Sequence, residues 1–391
     1  MPDWTRSHAA RIAATAVHEL EALVGISSPS GDRAGAERCV AVLTADLPAG
    51  ALVERPACST AGNADDLLIR VPGTGSRRIV LVGHVDTVIS HELHQPLHPD
   101  PDVPGALRGS GTIDMKGGDV LALGVLRALA HDRRDELAEV ALLLVTDEEW
   151  RTAPFAHAAR FAGWDACLCF EAGELDADGR DAVVVRRKAA GTLEITATGV
   201  AAHSGARPDD GRNALLALAE AARVVAAHHD PAGPDRLTAV PTVLHSGEAL
   251  NVVPAHGQLL CDVRADRLDA FDPVMAAIPR EVGGATLVVR NLRAWPGMDA
   301  REPAAPVLAR AGASLGRPIV PASRGGASDA SHLATVIPLT IDGLGPLGGG
   351  AHAPDEHVLE DSLRSRAEVA LAVADAVLRQ QQPDAPGPGV G

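Results

Sequence analysis

The hydrophobic and polar positions of the first 187 residues change repeatedly between a helical period and short apolar runs. Apolar residues at helical spacing cover residues 8–24 and 118–131, whereas apolar runs typical of buried strands occupy residues 67–71, 78–82 and 140–146. The turn sequence S-S-P-S-G follows the first helical segment. Strands that alternate with helices predict an α/β fold with a doubly wound, mostly parallel sheet.

The pattern changes near residue 188 and resumes near residue 298. Between them, strand, helix, strand, strand, helix and strand are predicted at residues 192–198, 211–227, 238–245, 257–264, 269–278 and 285–292. This order predicts an inserted βαββαβ (ferredoxin-like) domain over residues 188–297, within a domain formed by residues 1–187 and 298–380.

The C-terminal part returns to the first pattern. A helix is predicted from Pro303, a strand over residues 336–341 and a last helix from about Glu360. Residues 381–391 are rich in Gln, Pro and Gly and have no apolar periodicity, so we expect them to be a disordered tail.

Charge and cysteine content narrow the class of protein. The formal net charge is −16 and the chain has no basic run, which argues against nucleic acid or an anionic membrane as a partner. The five cysteines are odd in number and form no C-x-x-C pair, a pattern typical of a reducing compartment. Without a secretory layout or an apolar run of membrane-spanning length, we expect a cytoplasmic enzyme.

Candidate chemistry begins where the second apolar run ends, at G-H-V-D-T-V. His84 and Asp86 are two residues apart, which places both side chains on one face of an extended segment. Asp114 follows a Gly-Ser-Gly turn. Taken alone, the pair of His84 and Asp86 fits a core histidine with a hydrogen-bonded aspartate as well as it fits a site. Asp114 alone equally fits an aspartate in a turn.

Three further segments bring acids or a histidine to comparable positions. The run 140–146 leads directly into Asp147-Glu148-Glu149, C-L-C-F leads into Glu171, and a Gly-Gly-Gly-Ala loop leads into His352. Three acids in a row usually form a solvated loop. The repeated placement at strand ends instead favours a shared site at one edge of the sheet.

We therefore predict a site for two Zn²⁺ ions in which one carboxylate bridges both ions, and Co²⁺ or Mn²⁺ would suit the same donors. The predicted ligands are His84, Asp114, Glu149, Glu171 and His352. Asp86 is expected to fix the tautomer of His84. Glu148 lies beside a ligand without being needed as one, so it is free to act as the general base.

Other histidines are weaker candidates for ligands. His91, His94 and His98 fall between two motifs in a loop, and we do not expect them to bind a metal. His357 competes with His352, but only His352 has the glycine-rich approach.

The ordered motifs resemble the M20 metallopeptidases, which include glutamate carboxypeptidase, acetylornithine deacetylase, succinyl-diaminopimelate desuccinylase and related aminoacylases. They are G-H-V-D-T-V, G-S-G-T-I-D-M-K-G-G, T-D-E-E, F-E-A-G, G-V-A-A-H-S-G, N-V-V-P, D-V-R, G-G-A-S-D and G-A-H, in that order between residues 28 and 358. Each motif is weakly specific, but the ordered set is highly specific. The resemblance implies a dinuclear zinc hydrolase with a catalytic domain and an inserted lid domain that mediates dimerisation.

The resemblance also implies individual roles. His84 and Glu171 would hold one zinc ion, Glu149 and His352 the other, and Asp114 would bridge, with Glu148 as base and Asp86 as orienting residue. In the lid, His203 matches a histidine that polarises the scissile carbonyl in the partner subunit's site. Asn251 matches a residue near the same substrate, Arg264 one that pairs with a substrate carboxylate, and Gly325 and Gly326 a segment lining the substrate site.

Two of these roles rest on the resemblance alone, and one expected residue is displaced. From the residues themselves, His203 fits a simple turn histidine and Arg264 fits a strand-end surface charge. Glutamate-specific members carry an arginine shortly after the lid, where this chain has Trp295, with Arg293 nearby. This departure places glutamate specificity in doubt.

The expected function is hydrolysis of an amide bond in an N-acyl amino acid or small peptide with a free carboxylate, by a homodimer. The residues do not separate a deacylase from an exopeptidase. Two alternatives are an M20-fold enzyme with repurposed chemistry on a biosynthetic intermediate, and a non-catalytic binding protein. The second would be expected to lack Glu148, a metal ligand or His203, and all of these are present.

Overall fold

The computed structural model describes residues 3–380, which form two compact units. The second unit comprises Arg187–Met298 and Arg324–Ala327, and the first unit comprises the rest. The sequence predicts the short segment Arg324–Ala327 as part of the first domain. It belongs with the second unit because carbonyl oxygens of Gly325 and Gly326 accept hydrogen bonds from Arg264 and Arg187. The expected disordered tail lies outside the described residues.

Residues 3–380 contain eight α-helices and nineteen strands. The helices are α1 (Trp4–Val24), α2 (Arg33–Thr44), α3 (Gly117–Asp132), α4 (Ala214–Ala227), α5 (Asp272–Ala277), α6 (Arg301–Leu315), α7 (Asp329–Ala334) and α8 (Glu360–Leu378). The strands are β1 (Leu52–Glu54), β2 (Leu67–Pro72), β3 (Arg77–His84), β4 (His98–Pro99), β5 (Ala106–Arg108), β6 (Leu137–Val145), β7 (Ala166–Cys169), β8 (Glu174–Leu175), β9 (Asp181–Arg187), β10 (Ala189–Thr198), β11 (Thr238–Ser246), β12 (His256–Ala265), β13 (Glu281–Val282), β14 (Ala285–Trp295), β15 (Met298–Asp299), β16 (Ile319–Arg324), β17 (Thr340–Ile341), β18 (Gly348–Gly349) and β19 (His357–Leu359).

The first unit is built on a six-stranded sheet in the order β1-β2-β6-β3-β7-β17. The pairs β6–β3, β3–β7 and β7–β17 are parallel, and the outer pairs β1–β2 and β2–β6 are antiparallel. This arrangement confirms the predicted α/β class with a mostly parallel sheet. Because β3, β6 and β7 are parallel neighbours, the chain leaves all three at the same edge of the sheet.

Helix α3 packs closely against the ends of the central strands. A Cβ atom at Gly118 would lie 1.9 Å from the carbonyl oxygen of Phe170, which follows β7. Only glycine allows this approach, so the Gly117-Gly118 pair sets the start of α3 beside the sheet edge. Helices α1, α3 and α8 pack on one another and contribute most of their apolar residues to the core of this unit.

The second unit is a five-stranded antiparallel sheet, ordered β11-β12-β10-β14-β13, with α4 and α5 packed together. Its core joins sheet residues such as Leu193 and Leu259 to helix residues such as Leu218 and Val274. The element order is the predicted βαββαβ with one additional short strand, β13.

One predicted strand is much shorter than expected. The pattern over residues 336–341 predicts six strand residues, but only Thr340–Ile341 pair with β7. The N–H groups of Val336 and Ile337 bond back to the carbonyl oxygen of Leu333, and Pro338 has no N–H to donate. Among residues 3–380, the helices are all too short or too polar to cross a membrane.

Candidate active site

The carboxyl edge of the central sheet gathers the polar residues that follow its parallel strands. His84 is the last residue of β3, Glu148 and Glu149 lie just after β6, and Glu171 follows β7 by two residues. Each comes after a fully buried run, because the strand interiors are apolar on both faces. Local strand geometry therefore places three of the five segments that carry predicted ligands.

Asp114 belongs to two groups of potential metal ligands. The first group contains His84, Asp114 and Glu171, with 3.1 Å between His84 Nε2 and Asp114 Oδ1 and 3.8 Å between His84 Nε2 and Glu171 Oε1. The second contains Asp114, Glu149 and His352, with His352 Nε2 3.0 Å from Asp114 Oδ2 and 3.3 Å from Glu149 Oε2. Each carboxylate oxygen of Asp114 thus faces the histidine of a different group.

The charges in this cluster shift several pKa values. Burial disfavours the charged form of His84, but hydrogen bonds to Asp114 and Asp86 outweigh it and raise the pKa of His84 well above its usual value. Hydrogen bonds to Asp114 and Glu149 raise the pKa of His352 to about 10. Burial would raise the pKa of Asp114, but bonds from both imidazoles lower it instead.

Burial raises the pKa of both glutamates of the D-E-E triplet, but different neighbours oppose this effect. Burial raises the pKa of Glu148 well above its usual value; the positive charge of His84 opposes this effect, and the nearby carboxylate of Glu171 adds to it. Burial also raises the pKa of Glu149, while its hydrogen bond with His352 lowers it. A carboxyl group with a raised pKa is suited to exchanging protons near neutral pH.

The donor set suits divalent cations. Imidazole nitrogens and carboxylate oxygens without thiolate are typical ligands of Zn²⁺, Co²⁺ and Mn²⁺. Glu149 Oε1 is buried without a hydrogen-bond partner, and burial of such an oxygen is costly unless a cation or donor reaches it. The five predicted ligands therefore fit two cations that share Asp114.

Asp86 contacts both His84 and the D-E-E turn. The Nδ1 atom of His84 lies 3.0 Å from the carbonyl oxygen of Asp86 and 3.4 Å from its Oδ1. The carboxylate of Asp86 also accepts the backbone N–H groups of Glu148 and Glu149, at 3.1 and 3.2 Å. The contacts of Asp86 thus reach both the imidazole ring of His84 and the turn that carries the two glutamates, while its orienting role stays a prediction.

Glu356 holds the loop that carries Asp114 and was not identified from the sequence. Its buried carboxylate accepts the backbone N–H groups of Gly111, Ile113 and Asp114, at 2.7, 3.0 and 3.0 Å. Burial raises the pKa of Glu356 to about 7, although these three bonds favour its charged form. The only sequence signal is an acid between the loop of His352 and a short apolar run.

A buried arginine was also missed. Arg151 bonds to Asp147 Oδ1 through Nε at 3.0 Å and forms a two-pronged ion pair with Asp329. Its guanidinium lies 4.8 Å from the ring centroid of Phe155. Arg151 therefore connects the D-E-E turn to the first residue of α7, and no local pattern links these segments.

The predicted substrate residues of the second unit form two groups. His203 Nδ1 accepts the N–H groups of Gly205 and Ala206, at 3.2 and 3.1 Å, so a neutral ring carries its proton on Nε2. The carbonyl oxygen of Asn251 accepts the N–H of Ser204, which places Asn251 beside the same loop.

The second group contains Arg264, Gly325 and Gly326. Arg264 donates from Nη1 to the carbonyl oxygen of Gly325 at 2.9 Å and from Nε to Asp262 at 3.0 Å. In the same unit Arg293 lies over the ring of Trp295, 4.9 Å from its centroid, and Trp295 is buried. Arg293 is thus stacked on Trp295, the residue that stands where glutamate-specific members carry their arginine.

The weaker histidine candidates stay outside these groups. Within residues 3–380, none of His91, His94, His98 and His357 belongs to a set of three potential ligands. His91 bonds to Ser27, whereas the Nδ1 atoms of His98 and His357 lie near backbone carbonyl oxygens two residues earlier.

Comparison with known proteins shows which family the chain matches and which characterised proteins it is similar to. The model of peptidase family M20/M25/M40 matches residues 80–376. Carboxypeptidase G2 of Pseudomonas sp. (strain RS-16) is 27% identical over 356 residues, covering 86% of this chain and 83% of that protein. A succinyl-diaminopimelate desuccinylase of Methylobacterium nodulans is 29% identical over 361 residues, covering 85% and 90%.

Solved structures show the same fold. The aminopeptidase PepT of Bacillus cereus superimposes with a TM-score of 0.74 at 20% identity, covering 93% of this chain and 98% of that one. A Bacillus subtilis protein described as a dinuclear metal-binding peptidase of family M20 gives a TM-score of 0.65 at 16% identity, covering 94% and 99%.

Proposed function

Because this chain belongs to peptidase family M20/M25/M40, we propose that it hydrolyses an amide bond in an N-acyl amino acid or small peptide that carries a free carboxylate. The observation that carries this proposal is the position of Asp114, whose two oxygens face two groups of ligand residues. A carboxypeptidase and a desuccinylase among the relatives support a class that includes both peptides and N-acyl amino acids.

We assign two Zn²⁺ ions to this site in each chain, with Co²⁺ or Mn²⁺ as substitutes. His84 and Glu171 would hold one ion, Glu149 and His352 the other, and Asp114 both. When bound, such a pair polarises a carbonyl group and makes water more acidic. The orphaned oxygen of Glu149 supports a cation at the second position.

In this proposal Glu148 moves the proton. Its carboxylate takes a proton from the attacking water and returns it to the nitrogen of the leaving amine. The raised pKa of Glu148 supports this role, since a group that is too acidic would not retain the proton long enough to deliver it. Asp86 keeps the base in place through the backbone of the turn.

We assign substrate contacts to the second unit. His203 would donate from Nε2 to the carbonyl oxygen as negative charge develops there, because its Nδ1 accepts two backbone N–H groups. Arg264, with Gly325 and Gly326 beside it, would bind the substrate carboxylate, and Asn251 would contact the same substrate. We further propose a cytoplasmic homodimer formed through this unit, in which His203 serves the partner's site.

The proposal is tested with a panel of zinc-loaded reactions. N-acyl amino acids and dipeptides are compared with matched substrates whose free carboxylate is converted to a methyl ester. We expect at least one free acid to be hydrolysed and its ester to be a poor substrate. The zinc content of Asp114→Ala should fall by two ions per chain relative to the unsubstituted protein, since both ions share Asp114.

Two results would contradict the proposal. One is no turnover of any panel member by protein that holds its zinc. The other is an Asp114→Ala variant that loses only one ion or none, which would mean that Asp114 does not bridge.

A further inference from the structure

A second set of metal-ligating side chains lies in the first unit, away from the sheet edge. His8 comes from α1, and His131 and Asp132 are the last two residues of α3. Asp132 Oδ2 lies 2.6 Å from His8 Nε2, and Asp132 Oδ1 lies 2.6 Å from His131 Nδ1. One potential ligand atom from each residue lies within 4.8 Å of the others.

This cluster is separated from the candidate active site by the length of a helix. Asp114 precedes the first turn of α3, whereas Asp132 is its last residue. The 16 residues of α3 span about 24 Å at the usual helical rise. The cluster is therefore too far away to contribute a ligand to the active site.

We propose that His8, His131 and Asp132 bind a further divalent transition-metal ion, with Zn²⁺ the best match. Two imidazoles and one carboxylate form a donor set that binds zinc when water completes the coordination. The geometry repeats that of His84, Asp114 and His352, where one carboxylate also has a different imidazole on each oxygen. The two clusters use different residues on different elements.

The surroundings leave room for the water ligands that this site requires. A cavity of about 270 Å³ opens between α1 and α3 and is lined by His8 and His131. The ring of His131 is 69% exposed and that of His8 is 8% exposed, so the ion would enter from the side of His131. The end of α3 adds the negative partial charge of its terminal carbonyl groups, which favours a cation.

The arginine that directly follows the cluster in the sequence has carboxylate partners of its own. Arg133 follows the cluster, but its guanidinium donates to Glu136 at 2.8 Å and to Asp375 at 2.7 Å. It also lies 4.5 Å from the ring centroid of Trp4. Two carboxylates therefore compensate its charge.

An ion at this site would join α1 to α3, whose ligands are separated by 124 residues in the sequence. Because the ligands come together only in the folded chain, binding would raise the melting temperature. The site would thus stabilise the packing of two helices in the core.

The test compares metal content between variants. Bound metal is removed from the protein with a chelator, and the protein is then dialysed against buffered Zn²⁺. The zinc content per chain is measured by inductively coupled plasma mass spectrometry. The test variant is His131→Ala, whose exposed side chain allows substitution without loss of fold. The control is His98→Ala, an exposed histidine outside all three ligand groups. Asp132→Asn provides a second, independent variant.

We expect His131→Ala and Asp132→Asn each to bind one zinc ion fewer per chain than the unsubstituted protein and the control. Their zinc-dependent rise in melting temperature should also be smaller. Equal zinc content and an equal temperature rise in all four proteins would overturn the proposal. Because only the difference between variants is read, the result does not depend on occupation of the active site.

Discussion

At the scale of single residues, Glu148 and Glu149 are neighbours for which we predict different effects of substitution. Glu148→Gln keeps the shape but cannot take a proton, so kcat should fall by roughly 10²–10⁴-fold, the usual contribution of a general base. Its zinc content should stay normal. Glu149→Gln is the matched control and should lose zinc, because Glu149 faces His352 at 3.3 Å. Loss of zinc in Glu148→Gln would make Glu148 a ligand.

Glu356 is a positioning residue, and its substitution should act through Asp114. In Glu356→Gln the amide oxygen still accepts two N–H groups, but the NH₂ group faces the N–H of Gly111 and leaves it without an acceptor. We expect zinc affinity to fall by roughly 10–100-fold, the usual effect of losing a residue that orients a ligand. Zinc competition with a chromophoric chelator measures this change.

The control for Glu356 is its neighbour Asp355, which is exposed. Asp355→Asn removes the same charge from the same loop without touching the backbone of Asp114, so zinc affinity should not change. An equal fall in the two variants would show that the charge, and not the three hydrogen bonds of Glu356, is what matters, and unchanged affinity in both would contradict a positioning role for Glu356.

At the scale of elements, Arg151 couples the turn after β6 to α7. Arg151→Lys keeps the charge but cannot bond to Asp147 and Asp329 together, because a lysine lacks the planar fork. We expect kcat/KM to fall at least about tenfold because the turn carrying Glu148 shifts, since small misplacement of reacting groups is costly. Circular dichroism should show a folded protein.

Arg160→Lys is the corresponding control. Arg160 also forms an ion pair, with Glu54, but its side chain is 45% exposed, and pairs of this kind contribute little. Full activity in a folded Arg151→Lys variant would show that the D-E-E turn keeps its position without the arginine.

At the scale of the whole molecule, the free thiols should be unreactive while the chain is folded. Burial raises the pKa of Cys58 to about 12, and the other four cysteines are buried. At pH 8 such a thiol is about 10⁻⁴ thiolate, roughly 10³-fold less than an ordinary cysteine with a pKa near 8.5. Reaction of Cys58 with a thiol reagent should become faster as the pH rises toward 12, because more of the thiol is then ionised. A thiol reagent should therefore react slowly with native protein and quickly with all five cysteines in denaturant.

The proposed homodimer can be tested by complementation. Glu148→Gln and His203→Ala should each be nearly inactive as homodimers. If His203 serves the partner's site, each mixed dimer contains one site with both defects and one with neither. About half of the dimers are mixed at equal expression, so about a quarter of full activity should return for a twofold dimer. Mixed dimers isolated through two different tags but without activity would contradict the proposed role of His203.

The sequence alone determined the elements and the kinds of residue at their ends. The apolar runs of β2, β3 and β6 and the helical spacing of apolar residues in α3 are local properties of the sequence. A short apolar run followed by an acid or a histidine is recognised without knowledge of distant segments. For that reason the sequence predicts His84, Glu149 and Glu171 as ligands, whereas Asp114 and His352 follow glycine-rich turns and join the predicted set through their residue types. The six elements of the inserted module were predicted close to their observed positions for the same reason. The strand at residues 336–341 was overpredicted because Pro338 removes a donor from an otherwise apolar run.

Only the tertiary structure decided which residues hold these groups in place. Glu356 meets Gly111 across 245 residues, and Arg151 meets Asp329 across 178. In the sequence both look like surface charges, because burial of a charged side chain depends on partners that other segments deliver. The same holds for His8 and Asp132, which belong to separate helices and become a candidate ligand pair only when α1 packs on α3. Local patterns fix where an element starts and ends, whereas contacts between distant segments depend on how the elements pack.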